Sequence, residues 1–158
     1  MIAYVGASRH CEDPRMVRHA QVSDAAEAGR LLDAFNREFG EPTPGAEAVA
    51  RRVAALLEAD EAVVLLAGDG PDAVLVLRLR PALWAEGLDA YVEELYVVPE
   101  ARRRGHGRAL MQAAIAVART RGAVRIELFT GDDDLPARAL YESLGLLHDG
   151  ELYYGGDV

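Results

Sequence analysis

The chain has 158 residues, 51% of them hydrophobic, with one cysteine and a formal net charge of −9. That length fits one packed domain, a single thiol cannot staple a fold and points to the cytoplasm, and no apolar run approaches the roughly 20 residues of a membrane span. The acidic balance excludes general nucleic-acid binding, which depends on many cationic contacts to phosphate.

Residues 1–14 have no clear period and read as a loose arm, without the basic start and apolar stretch of a secretory signal. Met16 to Ala20 is a candidate first strand. Ser23 or Asp24 then caps a helix, with Glu27 at the capping-box position three residues after Asp24. Ala28, Leu31, Leu32, Phe35 and Phe39 recur along it at helical spacing. Gly40, Pro42, Pro44 and Gly45 break the chain, and a second helix follows with Val49, Val53, Leu56 and Leu57 on one face.

Ala62 to Ala67 is a continuous apolar run, expected as a buried strand, and Gly68 to Asp72 is a turn into a second strand from Ala73 to Leu79. Pro81 to Gly87 is a loop whose Trp84 is expected in the core, a substrate-facing wall being the other reading. Asp89 to Val98 is a strand that Pro99 ends, because proline donates nothing to a ladder. Gly105 or Gly107 opens a long helix that stops at Gly122, and Val124 to Thr130 is the next strand. Pro136 lies in the first turn of a last helix that Gly145 stops. Leu146 to His148 and Leu152 to Tyr154 read as short strands around the Asp149-Gly150 turn. This order predicts a mixed α/β sandwich built on one sheet.

The stretch Glu94 to Arg108 is the most informative. A strand ends, a turn rich in Arg and Gly follows, and a helix begins. The first N–H groups of a helix lack internal partners and carry the positive end of its dipole, so they are ready donors to phosphate. Glycine lets backbone approach a ligand closely, and arginine adds bidentate donors. A solvated basic face or a nucleic-acid patch would also place arginines here; the strand-then-helix setting favours phosphate.

This stretch resembles the acetyl-CoA motif of the GNAT superfamily of N-acetyltransferases, which runs Gln or Arg, two residues, Gly, one residue, then Gly or Ala. Arg102, Gly105 and Gly107 match it, and Val92 to Pro99 resembles the family's central strand. A second stretch is similar to the family's Asn, two residues, Ala, three residues, Tyr, three residues, Gly-Phe. Ala137, Tyr141 and Gly145 stand in register, while Asp134 replaces Asn and Leu146 replaces Phe. Asp134 departs most, since a carboxylate only accepts hydrogen bonds and repels phosphate; a helix cap is its simpler reading.

The resemblance implies a single N-acetyltransferase domain over residues 1–158, with a GNAT-like α/β (α+β) fold. Its sheet would be mixed but mostly antiparallel, with a splayed middle strand and about four flanking helices. It implies acetyl-CoA as co-substrate, held by Leu95, Tyr96, Val97 and Val98 along the pantetheine and by Arg103, Arg104, Gly105, His106, Gly107 and Arg108 around the pyrophosphate, with Asp134 and Ala137 nearby. It leaves room for a homodimer.

Chemistry sets the remaining roles. An alkyl amine, with a pKa of about 10, must lose a proton before it attacks a thioester, so a carboxylate is needed near the attack point. Glu93 is the first candidate base, because related transferases for small amines carry a glutamate at the matching position; Glu94 is the alternative. Strand alternation puts the two on opposite faces unless a bulge intervenes. Tyr141 is the candidate acid for the departing thiolate, on its resemblance to the family's tyrosine. The four histidines offer no metal-ligand pair, so no metal is expected. The expected acceptor is a small-molecule amine, the chain being compact. A non-catalytic acyl-CoA-binding module and a protein-amine acetyltransferase are the alternatives.

Overall fold

A computed structural model of the chain describes residues 16–148. Its elements are β1 (Val17–His19), α1 (Ala25–Glu38), α2 (Ala46–Glu58), β2 (Ala62–Ala67), β3 (Ala73–Pro81), β4 (Leu88–Val97), α3 (His106–Thr120), β5 (Ala123–Leu128) and α4 (Leu135–Ser143). The strands form one sheet in the order β1-β2-β3-β4-β5. Neighbours run antiparallel except β4 and β5, which are parallel. That exception follows from α3, which carries the chain back across the sheet before β5 begins.

The sheet separates two apolar layers. Leu65, Leu75, Leu77, Ala90 and Val92 pack with Leu110, Met111 and Ala114 of α3. Val64, Leu66, Val74, Val76 and Tyr96 pack on the opposite side with Ala28, Leu31 and Val53 of α1 and α2. The two sets alternate along β2 and β3, as side chains of a pleated strand must. Every residue of β2 is buried, which explains why its sequence reads as an unbroken apolar run rather than an alternating one.

Helices α1 and α2 approach very closely at Gly29. A Cβ there would lie 2.7 Å from the carbonyl oxygen of Ala46 and 2.7 Å from the amide nitrogen of Ala50. The loop between them is held from α1: Asp33 accepts from Arg37 Nε at 2.7 Å and from Thr43 Oγ1 at 2.6 Å, and Asn36 Nδ2 donates to the Pro42 carbonyl at 2.9 Å.

Three sequence expectations change. Asp24 precedes α1 but makes no capping bond to it; its carboxylate instead accepts from the Arg18 guanidinium at 2.8 and 2.9 Å and from the Gln21 amide at 2.7 Å. The arginine fork and the Gln21 amide, both outside α1, occupy the carboxylate. Trp84 is not in the core: it is 91% exposed, on a loop that the Ala82 amide closes onto the Gly87 carbonyl at 3.0 Å. Leu146 to His148 forms no strand, and residues 152–154 lie outside the described range. Among the described residues no helix is long and apolar enough to cross a membrane.

The Gly29 contact yields a test of the helix packing. Gly29→Ala should lower the stability of the chain by about 1–3 kcal/mol, because backbone must shift, and this outweighs the helix-propensity gain of about 1 kcal/mol. Urea denaturation measures it.

Candidate active site

The site is built where β4 loses one of its neighbours. Pairing with β5 runs from Leu88–Ala123 to Val92–Leu128 and stops there. Pairing with β3 continues to Val97. Beyond Val92, β4 therefore has one paired edge and one open edge.

A β-bulge sits at the division. Val76 pairs with Glu94 and Leu77 with Val92, so Glu93 is an extra residue without a partner on β3. The bulge shifts the alternation by one. Val92 and Leu95 both pack against the α3 layer, whereas Tyr96 packs against the α1 layer. Glu94 pairs with Val76, whose side chain faces α1 and α2. Glu93 lies 3.7 Å from Nη1 of Arg78, which shares the face of Val76. Both glutamates thus stand on one face, the outcome that strict alternation forbids and a bulge allows.

Their environments differ. Glu93 is exposed and Glu94 half-buried. Burial, and then the charge of Glu93, pushes the Glu94 carboxyl up to about 7. Two carboxylates this close favour a proton on the more buried one.

The direction of the main-chain groups is also set. The Val98 amide donates to the Asp72 carbonyl at 2.9 Å. By alternation the main-chain groups of Tyr96 and Glu94 point to β3, and those of Leu95 and Val97 point to the open edge. Tyr96 and Val98, expected as lining residues, thus give their amides to the sheet. The Tyr96 side chain is buried on the α1 side, where its hydroxyl donates to Glu38 at 2.9 Å.

At the end of β4 the chain makes a short 3-10 turn, Pro99–Ala101, and enters the basic turn. Arg103 has φ +60° and Gly105 φ +92°, the latter in the left-handed conformation at the N-terminus of α3. Only glycine adopts that conformation without strain. Among the described residues none of the amides of Arg103 to Arg108 has a hydrogen-bond partner, as expected for the approach to a helix N-terminus. The result is a run of free donors with the dipole of α3 behind it. Arg103 and Arg104 are exposed, and the His106 side chain is buried, so His106 offers the turn its backbone.

Helix α4 forms the opposite wall. A Cβ on Gly107 would lie 3.5 Å from Cδ2 of Leu140 and 3.9 Å from Cγ2 of Val97, so β4, α3 and α4 meet at that glycine. Arg108 reaches across α4 and donates to Ser143 Oγ at 2.8 Å, and that hydroxyl donates to the Leu140 carbonyl at 2.6 Å. Tyr141 follows Leu140 and is partly buried against the α3-side core. Burial, and then the charge of Asp134, pushes its phenol up to about 12. Asp134 caps α4, accepting from the Ala137 amide at 3.1 Å. Both Asp134 and the Ala137 amide are thereby committed to the helix start.

Sequence reasoning missed Glu38. It lies 64 residues from Arg102, whose Nη2 is 2.6 Å from its Oε1, and no local pattern links the two. Its one sequence signal is a carboxylate in the last turn of a helix, where the dipole disfavours negative charge.

Proteins similar in sequence and in fold identify the family. N-acetyltransferase YhfO of Bacillus subtilis (strain 168), itself uncharacterized, is 31% identical over 135 residues, which is 84% of this chain and 90% of that protein. A mycothiol acetyltransferase of Beutenbergia cavernae is 38% identical over 89 residues, 54% of this chain and 29% of that protein. A crystal structure of an acetyltransferase candidate from Arthrobacter sp. FB24 superposes with a TM-score of 0.82 at 39% identity, covering 90% of this chain and 96% of that one. An aminoglycoside acetyltransferase from an uncultured soil sample superposes with a TM-score of 0.73 at 26% identity, covering 90% and 97%. Residues 29–146 match the sequence profile of the Acetyltransferase (GNAT) family, and the chain belongs to that family of acetyltransferases.

Proposed function

We propose that this enzyme transfers an acetyl group from acetyl-CoA to a primary amine of a small molecule, by direct attack with both substrates bound. The observation that carries the reading is the open edge of β4 ending at a row of unpartnered amides on α3. An extended arm bearing amides can pair with Leu95 and Val97 as an added strand, and a pyrophosphate can accept from the donors between Arg103 and Arg108. Gly107 fits the same donor, since a side chain longer than a methyl there would press on Leu140 and Val97 beside the first amides of α3. The similar proteins named for mycothiol and for aminoglycosides support a small acceptor.

The base is Glu94 rather than Glu93. A carboxyl with a pKa of about 7 holds a proton far more strongly than an ordinary carboxylate, yet is largely ionised above neutrality, so it is matched to taking a proton from an ammonium ion or an attacking amine. Glu93 acts through its charge, which raises the affinity of Glu94 for that proton. As nitrogen attacks the thioester carbonyl, the carbon–sulfur bond breaks, the amine proton passes to Glu94 and a thiolate departs. The phenol of Tyr141 stays protonated across the neutral range and donates a hydrogen bond to that thiolate. No covalent intermediate on the chain is required once both substrates are held together.

The turn assignment predicts that Gly107→Asp weakens coenzyme A binding by roughly tenfold or more, by setting a side chain and a negative charge beside the phosphate donors; calorimetric titration reads it. The base assignment predicts a shape in pH. For the wild type, kcat/KM should rise with pH through about 7 as Glu94 loses its proton. Glu94→Gln should abolish that limb and lower the rate by roughly 10²–10⁴-fold. Glu93→Gln should move the limb to lower pH, because it removes the charge that holds the Glu94 proton. Loss of the limb in Glu93→Gln alone would return the role to Glu93.

A further inference from the structure

Glu38 is the last residue of α1, the end at which a helix disfavours a negative charge. Its carboxylate accepts the Tyr96 hydroxyl at 2.9 Å and lies 2.6 and 2.8 Å from Nη2 of Arg102. Arg102 in turn donates through Nε to the carbonyl of Val97 at 3.0 Å, and its guanidinium stands 5.9 Å from the centre of the Tyr96 ring. The guanidinium keeps the carboxyl of Glu38 below the usual carboxylate range, with a smaller contribution from the Tyr96 hydroxyl.

The position of this network matters more than its charge. Val97 is one of the two residues whose main-chain groups face the open edge of β4, and Arg102 is the last residue before the basic turn begins. Arg102 is also the arginine that opens the turn motif, yet its side chain is directed back to β4 and α1, not toward the phosphate donors. It fixes where the open edge stops: with the Val97 carbonyl already accepting, the edge offers the Leu95 amide and carbonyl and the Val97 amide. A charge placed against its helix dipole and compensated from 64 residues away is a local rule broken at a point where function gains from it.

We propose that Glu38 is a positioning residue for the acyl donor, acting through Arg102 to hold the Val97 end of the open edge and the entrance to the basic turn in one geometry. This rests on the reading of the open edge of β4 as the donor site. Without the carboxylate, Arg102 has no anchor on α1, the Val97 carbonyl is released, and the edge and the turn move independently of each other.

Coenzyme A titrated calorimetrically into the wild type, Glu38→Gln, Arg102→Lys and the double variant tests this, with donor and acceptor kinetics on the same proteins. Glu38→Gln should bind coenzyme A about tenfold more weakly, the scale of one charge-assisted network, and raise the donor KM by a similar factor. Its kcat at saturating donor should stay within about twofold, since a positioning role for binding leaves the chemical step alone. Arg102→Lys should weaken binding comparably, because an ammonium cannot replace the fork that joins carboxylate to carbonyl, and the double variant should lose little more than either single one. A folded Glu38→Gln with wild-type coenzyme A affinity overturns the proposal. Should Glu38→Gln fail to fold, unchanged affinity in Arg102→Lys overturns it equally. If the wild type itself binds no coenzyme A, the donor reading fails and takes this one with it.

Discussion

The fourth strand pairs with β3 from Leu88 to Val97, the bulged Glu93 apart, and loses β5 after Val92. A strand with an unpaired edge is costly in most folds, because its peptide groups demand partners and invite aggregation. Here the edge is short, Val97 stands beside Gly107 where α3 meets Leu140 of α4, and the amides that open α3 follow it in the chain. Everything else in the proposed site takes its place from this division. The bulge at Glu93 brings two carboxylates to one face, the basic turn supplies donors beyond the end of the edge, and Gly107 stands where β4, α3 and α4 meet.

The electrostatics of the site follow from burial more than from net charge. The whole chain is acidic, but the approach to α3 is locally electropositive through three arginines and the helix dipole. On the α1 face, Glu94 is less ionised because it is desolvated beside Glu93. Tyr141 is held as a neutral phenol by desolvation and by Asp134. Environment alone thus gives one ordinary carboxyl a raised proton affinity and one phenol a firmer hold on its proton, the pattern by which a fold can separate acid from base.

Much of the fold was legible in the chain. The apolar run of β2, the turn at Gly68 and the stops at Gly122 and Gly145 state local physics, and the strands and helices end within a residue or two of them. The turn motif was legible for the same reason, since its glycines answer to backbone conformation. Asp134 as a cap was readable from its position before Pro136. What was not legible depends on pairing between distant segments. The bulge is set by the register of β3 against β4, so periodicity within β4 assigns Glu93 and Glu94 to opposite faces. The Glu38–Arg102 link joins elements far apart in the chain. The exposure of Trp84 is not legible either, because a large apolar residue is usually buried, whereas its loop closes on itself.

In the proposed complex the amides of Leu95 and Val97, free of β5, receive the donor. Amide hydrogen exchange of these two residues, followed with and without saturating coenzyme A, tests it most directly. Leu95 and Val97 should exchange markedly more slowly in the complex, while Tyr96, already directed to β3, changes little. Saturation by coenzyme A with exchange at Leu95 and Val97 unaltered would contradict the donor lying along β4.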